Sequence, residues 1–137
     1  MGAELWSATS FKKLREEAMA TVRWNRLHPG EDERTPPVAR TLEASQGPIV
    51  AVTDYMKAVP DQIAPFMQRP YTTLGTDGYG RSDTRTALRS FFEVDASHVV
   101  VAVLKSLFDQ QALGADVVAS AIAKYGIDPA APAPWTA

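Results

Sequence analysis

The chain contains no cysteine at all. That excludes a disulfide framework and every metal site built on thiolates. Histidine is nearly absent as well. His28 and His98 are the only two and stand far apart, a poor basis for a dedicated zinc site. Charge of one sign is also lacking: acidic and basic residues almost cancel, leaving a formal net charge of −2. Nothing electrostatic therefore points to nucleic acid or an anionic membrane as a partner. No apolar run approaches the roughly 20 residues that span a bilayer. The opening MGAELWSATSF has no basic stretch followed by an apolar one, so it does not read as a signal peptide. Internal repeats are missing too.

What is present is the composition of an ordinary globular domain. The 137 residues are 45% hydrophobic and 22% charged, one domain by length. A chain of this size buries about two-thirds of the surface its unfolded form exposes.

The apolar pattern divides the chain into short strands separated by helices. Residues 3–9 (AELWSAT) read as a strand carrying Leu5 and Trp6. Ser10 is a suitable N-cap for a helix over 11–27, whose apolar face is Phe11, Leu14, Ala18 and Val22, with Arg26 next in the series. The stretch HPGEDERTPP breaks that pattern into a solvated loop with His28 exposed, and Pro37 can open a short helix over 38–44. Residues 47–54 (GPIVAVTD) form the strongest strand signal, a continuous β-branched run expected to be buried on both faces. A helix beginning at Asp54 is interrupted by Pro60, which can restart it. Residues 71–75 make a third strand, and 84–92 a helix with Leu88 and one of the two phenylalanines facing inward. The valine-rich stretch from Val94 could be strand or helix. Its length and the caps offered by Asp95 or Ser97 favour a helix ending at Gly114, with His98 in a capping or core position. A last helix over 115–126 closes on Gly126, and the proline-rich residues 127–137 are expected to lie along the surface. Strands alternating with helices imply parallel pairing and an α/β sheet, although three strands are few for one.

The chemistry-bearing stretch is LGTDGYGRSDTR, residues 74–85. It leaves the carboxyl end of the third strand, where open α/β sheets place their ligands. Three readings stand. As a phosphate cradle, Gly75, Gly78 and Gly80 would free the backbone and Arg81 would add a guanidinium fork, but the spacing matches neither phosphate-binding glycine motif and the P-loop lysine is missing. As a tight turn, Asp77–Gly78 would supply left-handed backbone. Ser82 or Asp83 would cap the next helix, while Arg81 and Arg85 paired with Asp77 or Asp83. As an interface, the same charged side chains would meet a second domain or subunit. A hydrolase triad using Ser82, Asp83 and a histidine lacks the G-x-S-x-G elbow. Asp54, at the end of the strongest strand, is a further candidate; as a simple N-cap it would have no such role.

Several segments together resemble a known family. WSATSF, RWNRLHP, VAVTDYMKAVPDQI, LGTDGYGRSDTR, FFEVDASHVVVAVL and VVASAIAKYGID are similar, in this order, to the C-terminal end of the bacterial homodimeric pyruvate dehydrogenase component. The loop phrase followed by FEVDAS is specific to that group rather than to transketolases at large. The resemblance implies a three-layer α/β/α transketolase C-terminal-like domain over 1–126 with a mostly parallel sheet, followed by a tail over 127–137. It also implies that the domain is N-terminally incomplete. Its first strand and helix would be missing, the strand being one expected between 3–9 and 47–54, which leaves Leu5, Trp6, Ile49 and Val50 exposed. The gap would be filled by rearrangement of the sheet, by exchange with a second copy, or by a partly molten state.

The activity implied is oxidative decarboxylation of pyruvate on thiamine diphosphate, with acetyl transfer to the lipoyl group of an acetyltransferase core. The compartment implied is the bacterial cytoplasm and the assembly a homodimer. In that family thiamine diphosphate and Mg2+ lie between the N-terminal and middle domains, so no cofactor, metal or catalytic role falls on this chain, whose part is structural. Its partners would be the remaining domains and a second subunit. Asp77, Arg81 and Asp83 are expected to form a local charged network reaching those domains, with Ser82, Arg85 and Asp54 nearby. The alternative is a free-standing α/β interaction or anion-binding module without enzymatic activity.

Overall fold

Ser10 sets the start of the first helix. In the computed structural model of the chain, which describes residues 2–137, its Oγ accepts from the Lys13 backbone N–H at 3.2 Å. Helix α1 then runs over Phe11–Leu27. Phe11, Leu14 and Ala18 point inward, but the apolar face fades after Ala18, and Val22 is exposed. Pro37, which has no N–H to leave unpaired, opens α2 over Pro37–Thr41. That helix is shorter than the pattern predicts, because a turn follows it directly.

The two strands are β1, Ile49–Val52, and β2, Tyr71–Leu74. They pair in parallel, Ile49 opposite Tyr71 and Val52 opposite Leu74. The crossover between them holds the one-turn helix α3, Ala58–Asp61, with Pro60 fully buried, and a 3₁₀ turn at Ala64–Phe66. Alternation along β2 assigns the layers. The Tyr71 hydroxyl donates to the Pro60 carbonyl at 2.8 Å, and Thr73 Oγ1 donates to Asp61 at 2.6 Å, so these side chains meet α3. Thr72 points to the opposite face and shares a 3.1 Å hydrogen bond with Ser106 of α5, Ala96–Asp109. Helices thus cover both faces of the sheet, an α/β/α arrangement in which α1 and α3 oppose α5 and its neighbour α6, Ala115–Tyr125. The core on the α1 side is Ala18, Val38 and Ile63, packed by Phe66, Met67 and Tyr71.

The strand read in residues 3–9 does not form. That segment has no regular secondary structure, with Leu5 101% and Trp6 59% exposed. A strand exists only where a neighbour accepts its hydrogen bonds, and among the described residues no strand stands beside it. The sheet accordingly has two strands rather than three. For the same reason β1 is half-buried instead of enclosed on both faces, and Val52 is exposed.

Helix α4, Arg85–Phe91, begins from Thr84, whose Oγ1 accepts from the Ala87 N–H at 3.3 Å. Neither Ser82 nor Asp83 is the cap. The valine-rich segment is the helix α5, capped by Asp95. It stops at Asp109, where Gln111 takes a left-handed φ of 60°, and Gly114 instead precedes α6 as its N-cap. Gly126 closes α6 in the left-handed conformation, as the pattern predicts. His28 is half-buried rather than exposed. Its ring stacks on Trp24, and Nδ1 lies 2.8 Å from the Trp24 carbonyl.

Candidate functional site

The loop leaving β2 is held from both sides. Gly75 is buried, and a Cβ there would lie 2.8 Å from the Tyr55 carbonyl oxygen and 2.9 Å from the Lys57 nitrogen. Only glycine lets the chain pass this close. The Thr76 N–H then donates to the Tyr55 carbonyl at 2.9 Å, and its hydroxyl donates to the Asp54 carbonyl at 2.8 Å. Asp77 Oδ1 accepts from the Lys57 backbone N–H at 3.0 Å. Gly78 has φ +118°, a region that side chains avoid, and its missing Cβ would stand 2.7 Å from the Pro134 carbonyl oxygen. The C-terminal tail therefore packs directly on the loop. Pro134 is buried, and the Lys57 ammonium sits 4.5 Å above the Trp135 ring.

Past Gly78 the loop turns outward, and Tyr79 is 84% exposed at its tip. Between this tip and α4 opens a cleft of about 470 Å3. Its charged wall is Asp54, Arg81, Asp83, Arg85 and Arg89. Leu88, Phe92 and Val94 form its apolar floor. The Arg81 guanidinium rests 4.1 Å from the centre of the Phe91 ring, and an Arg89 nitrogen stands 3.7 Å from Asp54 Oδ1.

Asp54, Arg81, Asp83 and Arg85, all candidates from the sequence, thus share one cleft. Ser82 is exposed beside it and does not line it. Asp77 faces away, because its carboxylate is committed to the Lys57 amide. The expected pairing of Arg81 and Arg85 with Asp77 or Asp83 does not occur among the described residues. Asp83 Oδ1 accepts from the Thr84 N–H at 2.7 Å instead, and Arg81 prefers an aromatic face. The reading of Asp54 as an N-cap is likewise overturned: α3 starts later, from Lys57, without a side-chain cap. Arg89 is the residue that sequence reasoning missed. The signal was available, since Arg81, Arg85 and Arg89 recur every four residues into a segment predicted to be helical.

Neither histidine contributes to this cleft. His98 Nδ1 lies 2.8 Å from Asp95 Oδ1, and that same carboxylate oxygen accepts the His98 backbone N–H at 3.0 Å. Burial works to raise the Asp95 carboxyl, but the hydrogen bonds from His98, aided by Ser90, hold it below the ordinary aspartate value.

A family model described as the transketolase-like C-terminal domain matches residues 1–95. The chain belongs to that family. It is 50% identical over 134 residues to a pyruvate dehydrogenase E1 component of Cupriavidus necator, covering 98% of this chain and 15% of that protein. Against the enzyme of the same name from Pseudomonas aeruginosa it is 50% identical over 130 residues, 94% of this chain and 15% of the relative. The Escherichia coli K12 protein is 46% identical over 129 residues, 93% of this chain and 14% of the relative. The similarity falls in the relatives' C-terminal region. This transketolase-like domain thus spans about 15% of the length of the first two relatives it matches.

Thiamine diphosphate with Mg2+ needs converging carboxylate and carbonyl oxygens for the metal. Among the described residues of this transketolase-like domain, no three His, Asp or Glu side chains come together as such a set. The glycine loop offers no diphosphate cradle either, because its turn at Gly78 is filled by Pro134. The residues of this chain do not fit that group. No helix among the described residues is long and apolar enough to cross a membrane.

Proposed function

We propose that the chain serves as the C-terminal domain of a thiamine-diphosphate-dependent pyruvate dehydrogenase, with a structural and assembly role and no chemistry of its own. The observation that carries this reading is the 50% identity to a pyruvate dehydrogenase E1 component across 98% of the chain. The parent would decarboxylate pyruvate oxidatively in the bacterial cytoplasm, as a homodimer, and pass the acetyl group to the lipoyl arm of an acetyltransferase core. Thiamine diphosphate and Mg2+ would be held by the remaining domains, and the cofactor would supply the carbanion chemistry.

In this reading the loop tip is an inter-domain contact. Tyr79 projects into solvent beside Arg81 and Ser82, while the base of the loop is braced by Asp77 and Pro134. A rigid base beneath an exposed aromatic tip suits docking against another domain, because little entropy is lost on contact.

The test is a chimera in which this chain replaces the C-terminal region of the Cupriavidus necator relative. The chimera should turn over pyruvate with thiamine diphosphate, Mg2+ and an artificial electron acceptor, whereas the chain alone should not. Within the chimera, Tyr79→Ala should weaken assembly or activity and leave the melting of the isolated chain nearly unchanged. Turnover by the isolated chain, or an inactive chimera that still assembles, would count against the reading.

A further inference from the structure

Arg81, Arg85 and Arg89 all line the cleft between the loop and α4, against two carboxylates in the same wall. Those carboxylates are poorly placed to neutralise them. Asp83 Oδ1 is occupied by the Thr84 N–H at 2.7 Å. Asp54 Oδ1 stands 3.7 Å from Arg89, beyond direct hydrogen-bond length. Arg85 pairs with no carboxylate among the described residues.

We propose that this cleft binds a small organic anion bearing at least two negative charges on phosphate or carboxylate oxygens. Guanidinium forks meet such oxygens in pairs, and their charge persists at any physiological pH. Arg81 is oriented in advance by the Phe91 ring at 4.1 Å, so less side-chain freedom is lost on binding. The floor of Leu88, Phe92 and Val94 accepts the carbon part of the ligand. A volume of about 470 Å3 suits a metabolite-sized molecule. The position, beyond the carboxyl ends of β1 and β2, is where open α/β sheets bind ligands. Side chains carry the site and backbone amides do not: the sequence has no phosphate-binding glycine motif, and α4 is too short to add a useful dipole.

The inference rests on the cleft alone and not on the loop tip as a domain contact. Tyr79→Ala removes the tip without removing a guanidinium, so the two ideas fail separately.

The experiment titrates sodium pyrophosphate and sodium citrate, in separate arms at constant ionic strength, into the 137-residue chain. Isothermal calorimetry and backbone amide NMR follow binding. Saturable binding of either probe is expected, with shifts concentrated at Thr76, Gly78, Gly80 and the α4 amides. Pyrophosphate alone would assign a phosphoryl ligand and citrate alone a carboxylate one; binding of both supports the shared chemistry. Arg85→Ala should weaken binding about tenfold, or about 1.4 kcal/mol. Arg85→Lys should recover only part of it, and the remote Arg15→Ala should change nothing. Arg85 is exposed at the first turn of α4, so its variants keep the fold, which circular dichroism checks. Failure of both probes to saturate overturns the proposal, as does an equal loss in Arg15→Ala.

Discussion

The backbone N–H of Lys57 donates to Asp77 Oδ1 at 3.0 Å, joining the turn after β1 to the loop after β2. Two segments 20 residues apart in sequence are thereby tied at the same end of the sheet. Asp77→Ala removes the acceptor and leaves a half-buried amide unpaired. The expected loss is about 1–2 kcal/mol in urea melts, with Asp77→Asn recovering much of it. A loss equal for Asn and Ala would show that charge, rather than the hydrogen bond, holds the loop.

Gly75 and Gly78 tolerate substitution differently. Gly75→Ala drives a methyl group against the Tyr55 and Lys57 backbone, which cannot rotate away. A cost of about 1–3 kcal/mol is expected, whatever happens to the tail. Gly78→Ala meets Pro134 as well as an unfavourable φ. Removing residues 134–137 from the Gly78→Ala variant should recover the steric part of its cost and leave the backbone strain. Thermal melts of the four combinations check this.

Asp95 caps α5 through the His98 amide. Its carboxyl is held below the ordinary value in the folded chain, so the contribution is present above the unfolded value and fades as pH falls below about 4. Asp95→Ala should cost about 1 kcal/mol at neutral pH and flatten the acid limb of the stability profile. Asp95→Asn should keep the cap and lose that limb. Urea midpoints across the acid range measure both.

Tyr71 behaves in the opposite sense. Burial, and then the nearby Asp61 carboxylate, push its phenol well above the ordinary tyrosine value. Its contribution is complete below about pH 10 and declines as pH rises beyond it. The Tyr71 hydroxyl should resist ionisation in an ultraviolet titration until the chain unfolds. Tyr71→Phe removes one donor from the Pro60 carbonyl, which keeps the Ile63 N–H at 3.3 Å, so the expected loss is that of a single hydrogen bond, about 0.5–1.5 kcal/mol.

Local signals were legible in the sequence where the physics is local. Ser10, Asp95 and Gly126 mark helix ends because a cap acts within one turn. The β-branched run at 49–52 and the parallel pairing followed from apolar pattern and element order. Residues 3–9 failed because strand formation depends on a neighbour that local pattern cannot guarantee. At the cleft, strand-end position correctly gathered Asp54, Arg81, Asp83 and Arg85. Their partners were not legible. A backbone amide on Thr84 and an aromatic face at Phe91 outcompeted the opposite charges that composition suggested. The packing of Pro134 on Gly78 joins residues far apart in sequence, and nothing local announces it.

The paired strands leave a signature in amide exchange. The N–H groups of Ile49 and Thr53 point into the β1–β2 ladder, donating to Pro70 and Leu74 at 2.8 and 3.0 Å. Alternation turns those of Val50 and Val52 outward, to an edge with no partner strand among the described residues. Deuterium should therefore enter β1 as a comb, fast at Val50 and Val52 and slow between them. Any strand that docks on this edge would close the teeth of the comb without moving a single side chain of the cleft.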